Sequence, residues 1–204
     1  DVDYNENGLL GKVIDYYDYA LIRECNQMIT RLPLSNNLNK NFIDTRVSEA
    51  RFIRAHAYFE MVKRFGGVPL VTDVIPVQGT SDQLYRSRNS EKEIYDFIKN
   101  EMDEISALLP SIPEADGRIT KWTALALKSR AMLYAASVAN FGSQQLNGLL
   151  GFPISDASSY YQASLDASNQ IIQSGAFSLY KKSDDPVKNF GDLFIDENNN
   201  SEVI

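Results

Sequence analysis

What this chain lacks narrows it first. It holds one cysteine, Cys25, one histidine, His56, and one tryptophan, Trp122. A single thiol forms no intrachain disulfide, so the redox compartment is not readable from cross-links. A single histidine would have to serve any Ser-His-Asp or Cys-His arrangement. His56 sits inside a helical pattern with no nucleophile beside it, and a packed or solvated structural role is the plainer reading. The H-E-x-x-H, paired C-x-x-C, G-x-G-x-x-G and Walker patterns are all missing. No catalytic residue, metal site or cofactor is therefore assigned, and the chain is not read as an enzyme. No apolar run reaches the length of a bilayer span, and no signal-peptide pattern is present. Positive charge is in deficit, with 20 Lys and Arg against 27 Asp and Glu and a net charge of −7. That balance speaks against general nucleic-acid binding and against a basic grip on anionic lipid.

Carboxylates are plentiful, as at Glu101, Asp103 and Glu104 and again at Asp184, Asp185, Asp192, Asp196 and Glu197. A glycosidase needs two of them facing across a cleft. Runs of this kind are more simply solvated faces. Asp3-Tyr4-Asn5-Glu6-Asn7-Gly8 matches the first half of a calcium loop, but the bidentate glutamate of position twelve is replaced by Ile14. The alternative is a polar turn.

What the chain has is length and rings. At 204 residues and 44% hydrophobic, with 11 tyrosines and 10 phenylalanines, it can bury a substantial core. Periodicity predicts five helices: about Val13–Arg31, stopped by Pro33; a helix through Ala50 and ending at Phe65; about Ser90–Leu109; about Thr120–Asn140; and about Ala157–Ser174, closed by Gly175. Ser90 with Glu93 forms a capping box. Thr45 or Ser48 is the expected cap of the second helix, with Glu49 in its first turn. Apolar residues surround that helix, which predicts packing on two sides. Val68–Val77 and Phe177–Tyr180 read as extended. The class is all-α, built of helical hairpins joined by long irregular loops. Arg54-Ala55-His56-Ala57 is faintly like Lys128-Ser129-Arg130-Ala131, and both helices end in Phe-Gly, the weak self-similarity a tetratricopeptide-like array leaves.

The string SEARFIRAHAYFEMVKRFGGVPLVTD, residues 48–73, carries a resemblance. It is similar to the central signature of the SusD/RagB family of outer-membrane nutrient-binding lipoproteins, roughly E-A-R-F-L-R-A-x-x-Y-F-x-L-V-x-x-F-G-G-V-P-L-V-T. Glu49, Arg51, Phe52, Arg54, Tyr58, Phe59, Val62 and Phe65 through Thr72 fall in step. GRITKWTALALKSRAMLYAAS, residues 117–137, resembles the family's second conserved helix, with Trp122 standing where a small residue is usual. FGDLFIDENNNSEVI matches more loosely, Ser201 departing from the pattern.

The resemblance implies a SusD-like, tetratricopeptide-like fold. It also implies that residues 1–204 are the N-terminal part of a longer protein, with its C-terminal part and N-terminal lipid anchor outside this chain. It implies a non-catalytic, surface-exposed glycan-binding subunit of the outer membrane. Such a subunit serves nutrient uptake and polysaccharide utilisation by passing oligosaccharide to a SusC-like TonB-dependent transporter. A RagB-like subunit for peptides or other nutrients is the alternative, and a helical-repeat scaffold for protein partners is the third reading.

Sugars stack their C–H faces on rings and offer hydroxyls to Asn, Asp and Arg. The candidate ligand residues are accordingly Tyr4, Asn5, Asn7, Tyr16 and Tyr17 at the start of the first helix, where the resemblance also places part of the sugar contact. Tyr19 is expected to pack inward. Phe141 and Phe152 flank a loop able to frame a cleft, and Tyr160 and Tyr161 open the fifth helix.

Overall fold

A computed structural model describes residues 16–76, 78–196 and 200–202. The expectations for Tyr4, Asn5, Asn7, Val13, Ile14 and Val77, and with them the half calcium loop, lie outside the described residues. Among the described residues six helices of eight residues or more carry the fold: α1 (Tyr19–Arg31), α2 (Lys40–Phe65), α3 (Glu91–Ser106), α4 (Lys121–Phe141), α5 (Ala157–Ser174) and α6 (Pro186–Leu193). Among the described residues there is no strand, and one isolated bridge joins Gln145 to Leu150. The all-α class holds.

The first five helices pack one on the next. Arg51 reaches Glu104, Arg54 reaches Glu101 and Tyr58 meets Phe97, so α2 and α3 run antiparallel. Asn26 to Arg54 and Tyr19 to Tyr58 set α1 antiparallel to α2 in the same way. Ser129 of α4 contacts Ser164 and Ser168 of α5. The core runs between these layers through Tyr58, Phe59, Met61, Ile94, Tyr95, Ile98, Met102, Leu125 and Met132, all almost fully buried. As the ring of apolar residues around α2 predicts, that helix is covered from several sides.

Helix starts differ from expectation where polar residues compete to cap. α2 begins at Lys40, a full turn and more before Thr45, because the Asn39 side chain accepts the Phe42 N–H at 2.8 Å. Thr45 and Ser48 lie inside the helix, and each hydroxyl bonds back to a carbonyl four residues earlier. Glu49 is consequently a buried mid-helix residue, not a first-turn one. α1 begins at Tyr19, where Asp18 caps the Leu21 N–H at 2.9 Å, leaving Tyr16 to Asp18 non-helical. The Ser90–Glu93 capping box forms as read. α6 is an addition: Asp185 caps it and Pro186 opens it, an arrangement with a known helix-start preference. The two Phe-Gly ends prove different, since Gly66 takes φ 66° while Gly142 is extended.

Candidate functional site

The signature string resolves into structural work. Arg54 is buried and joins three segments: it donates to Asn26 of α1 at 2.7 Å, to Glu101 of α3 at 2.9 Å and to the Thr72 carbonyl at 3.3 Å. Arg51 grips the same Glu101 carboxylate and also Glu104. Glu49 holds Arg46 and Arg118 at the other end of α2. The Tyr58 hydroxyl accepts the Val71 N–H at 2.7 Å and pins the extended exit. Burial raises that phenol to about 12.

Gly66 and Gly67 form a corner into which other chain segments are pressed. A Cβ on Gly67 would stand 2.0 Å from the Asn89 carbonyl oxygen, and one on Gly66 would stand 2.2 Å from Leu150. The loop 142–151 docks here. The Gly67 N–H donates to the Leu149 carbonyl at 2.8 Å, and the Gly151 N–H donates to the buried Glu91 carboxylate at 2.6 Å. Burial pushes Glu91 above the ordinary carboxyl range, with the Gly151 N–H acting the other way.

Against this corner stand the two described residues of the expected ligand set. Tyr16 and Tyr17 are each 43% exposed. The Tyr17 ring meets Phe65 edge-on at 5.5 Å and Tyr19 at 4.9 Å. Arg64 lies 3.5 Å over the Tyr16 ring while its guanidinium is held by Glu60 at 2.7 Å. Tyr17, Phe65, Val68 and Arg88 line a recess of about 380 Å³. Arg88 donates to the Phe65 and Gly67 carbonyls, at 2.7 and 2.6 Å. Tyr19 does pack inward, its hydroxyl donating to the Pro69 carbonyl at 2.5 Å. The site is thus an aromatic surface on a fixed base, with both neighbouring guanidiniums anchored by bonds to the protein.

Other rings divide. Phe152 is buried, packed on Tyr95 and Tyr160, so it belongs to the core and frames no cleft, while Phe141 is 80% exposed. Tyr160 is buried and donates to Asp96. His56 lies on the surface of α2, its ring 6.3 Å from that of Phe52 and nearly parallel. No group of three metal-binding side chains occurs among the described residues.

Sequence reasoning passed over the recess residues Phe65, Val68 and Arg88 as ligand-facing groups. The first two sit in a string whose hydrophobicity signals core, and the third acquires its place only through two backbone carbonyls.

A family model described as starch-binding and associating with the outer membrane matches residues 12–133. Among curated relatives, SusD-like protein P38 of Formosa agariphila is 30% identical over 117 residues, covering 57% of this chain and 22% of that protein. A SusD-like protein of Bacteroides ovatus is 29% identical over 156 residues, covering 76% and 24%. The chain therefore spans about a quarter of the length of the curated relatives it matches. Among solved structures, a SusD-like protein of Bacteroides fragilis superposes with TM-score 0.63 at 28% identity, over 83% of this chain and 28% of that one. A SusD superfamily protein of Parabacteroides distasonis superposes with TM-score 0.65 at 27% identity, over 82% and 33%. With a helical array that superposes on these structures and a family match over more than half its residues, this chain belongs to the SusD-like (SusD/RagB) family.

Proposed function

We propose that the chain is the N-terminal helical part of a non-catalytic, surface-exposed subunit that captures oligosaccharide and delivers it to a SusC-like TonB-dependent transporter of the outer membrane. A lipid anchor would tether it. The observation that carries the reading is the exposed Tyr16–Tyr17 pair, set on the Gly-Gly-Val-Pro corner of a chain whose family is described as starch-binding. Ring faces accept the apolar faces of pyranoses, and Arg64 and Arg88 are held by Glu60 and by the Phe65 and Gly67 carbonyls beside them. No helix among the described residues is long and apolar enough to cross a membrane.

Titration calorimetry on the full chain with neutral polysaccharides and with peptides tests this. Tyr17→Ala is expected to weaken glycan binding by about tenfold, the scale of one lost stacking contact, and Tyr16→Ala to weaken it in the same direction, both without a change in melting temperature beyond a few degrees. Unchanged affinity in both variants would remove the tyrosines from the site. Binding of peptides in place of every glycan would select the RagB-like alternative, and product release on long incubation would contradict a capture subunit.

A further inference from the structure

A cavity of about 760 Å³ opens at the other end of the helical layer, where the loop 111–119 enters α4. It is separate from the Tyr17 recess. Arg118 at its rim is bonded to Glu49, whereas the recess lies at Phe65. Residues 49 and 65 are on one continuous helix, which at ~1.5 Å per residue puts roughly 24 Å between them. Its volume lies within the ~300–1,000 Å³ of small-molecule sites.

The wall contains the chain's one tryptophan. The Trp122 and Phe177 rings stand at 86° with centroids 6.3 Å apart, making an apolar corner. Ile112, 82% exposed, adds to it. Beside the rings lie Asp116 and Arg118. Asp116 makes no hydrogen bond or ion pair among the described residues. Arg118 commits its NH2 group to Glu49 and, with five N–H donors on a guanidinium, keeps others available. One acceptor and one donor next to an aromatic corner match adjacent hydroxyls and the C–H face of a sugar ring. Asp196, bonded to Tyr180 and Lys182, also lines the cavity, so its carboxylates outnumber its guanidinium and give no grip for an anion.

The corner is also fixed in advance. The Trp122 indole N–H donates to the Ser111 carbonyl at 3.0 Å, and the Lys121 N–H donates to the Pro110 carbonyl at 2.9 Å. The Thr120–Thr123 capping box holds the first turn of α4. Little ordering remains to be done when a ligand arrives, which is what favours binding at a small surface.

We propose that this cleft is a second pyranose-binding subsite for neutral oligosaccharide, distinct from the tyrosine recess. It rests on the glycan reading above and adds a place to it. The test is calorimetry on the full chain with maltoheptaose, cellohexaose, xylohexaose and mannohexaose. Wild type is expected to bind one of these at two sites. Phe177→Ala and, separately, Asp116→Ala are expected to weaken one site by about tenfold and to leave the other unchanged. Tyr17→Ala is expected to do the converse. Asp116 is exposed in a loop, so its variant reports binding even if Phe177→Ala fails to fold. A single site that responds to Tyr17→Ala and to neither cleft variant overturns the second subsite and leaves the glycan reading intact. A single site that responds only to the cleft variants upholds the cleft and removes the tyrosine recess. No binding of any of the four sugars overturns the glycan reading and the cleft together.

Discussion

At the scale of single residues, the signature string divides into groups that pack and groups that bond. Phe59 is 1% exposed and meets Tyr134 edge-on at 5.4 Å. Truncation there leaves a cavity that a rigid helix cannot close. Phe59→Ala is expected to destabilise by about 3–5 kcal/mol in urea unfolding; a loss under about 1 kcal/mol would place the ring at the surface. Gly67 is the complementary case, a residue chosen for what it lacks, since a side chain would meet the Asn89 carbonyl. Tyr16 and Tyr17 follow neither pattern. They are large, partly exposed and held by ring and cation contacts, so the core does not account for their exposed faces.

Elements are set by caps and by the segments that fasten loops to them. Asn39 starts α2 through one side-chain bond to the Phe42 N–H. Asn39→Ala is expected to cost about 1 kcal/mol of stability and to fray the turn at residues 40–43, visible as faster amide exchange there. Glu91 opens α3 and fastens the loop 142–151 through the Gly151 N–H. Its folded-state pKa is raised by burial above the ordinary value of 4.5. The folded state therefore binds this proton more tightly than the unfolded chain. Its contribution is fully present below the ordinary carboxyl pKa and is lost as pH rises through the folded one. Glu91→Gln keeps an acceptor for Gly151 and removes the titration. The expected result is a flatter stability–pH curve above pH about 4.5, measured as melting temperature against pH; an unaltered slope would show that Glu91 does not set it. Legibility at this scale was uneven. The Ser90–Glu93 box was readable because both partners lie within one turn. The start of α2 was not, because Asn39, Thr45 and Ser48 are all competent caps and only the helix's packing on its neighbours says which is used.

Across the whole molecule, the ion network of Arg54, Arg51 and Glu101 ties α1, α2 and α3 to the exit after Val71. The Arg54 side chain is 5% exposed and that of Glu101 is 10% exposed. Removing one partner of such a pair strands the other charge. Arg54→Ala is expected to destabilise by about 3 kcal/mol, somewhat eased by Arg51, which also holds Glu101. The double variant with Glu101→Ala should lose less than the sum of the two single losses. Additive losses would deny the coupling. The same network keeps the Gly-Gly-Val-Pro corner in place, so it acts on the tyrosine recess without touching it.

The sequence by itself determined the class, the order of the first five main helices and the family, because periodicity, prolines, glycines and a long local motif are properties of neighbours along the chain. It also turned Tyr19 inward. Tertiary structure decided what no local pattern encodes: that Glu49 belongs to Arg46 and Arg118, that Phe152 is core while Phe141 is not, and that Asp185-Pro186 starts a helix. It also decided that Trp122 meets Phe177, a ring 55 residues further along the chain. Such contacts depend on which helix faces are brought together in space, and sequence separation says nothing about that until the layers are packed.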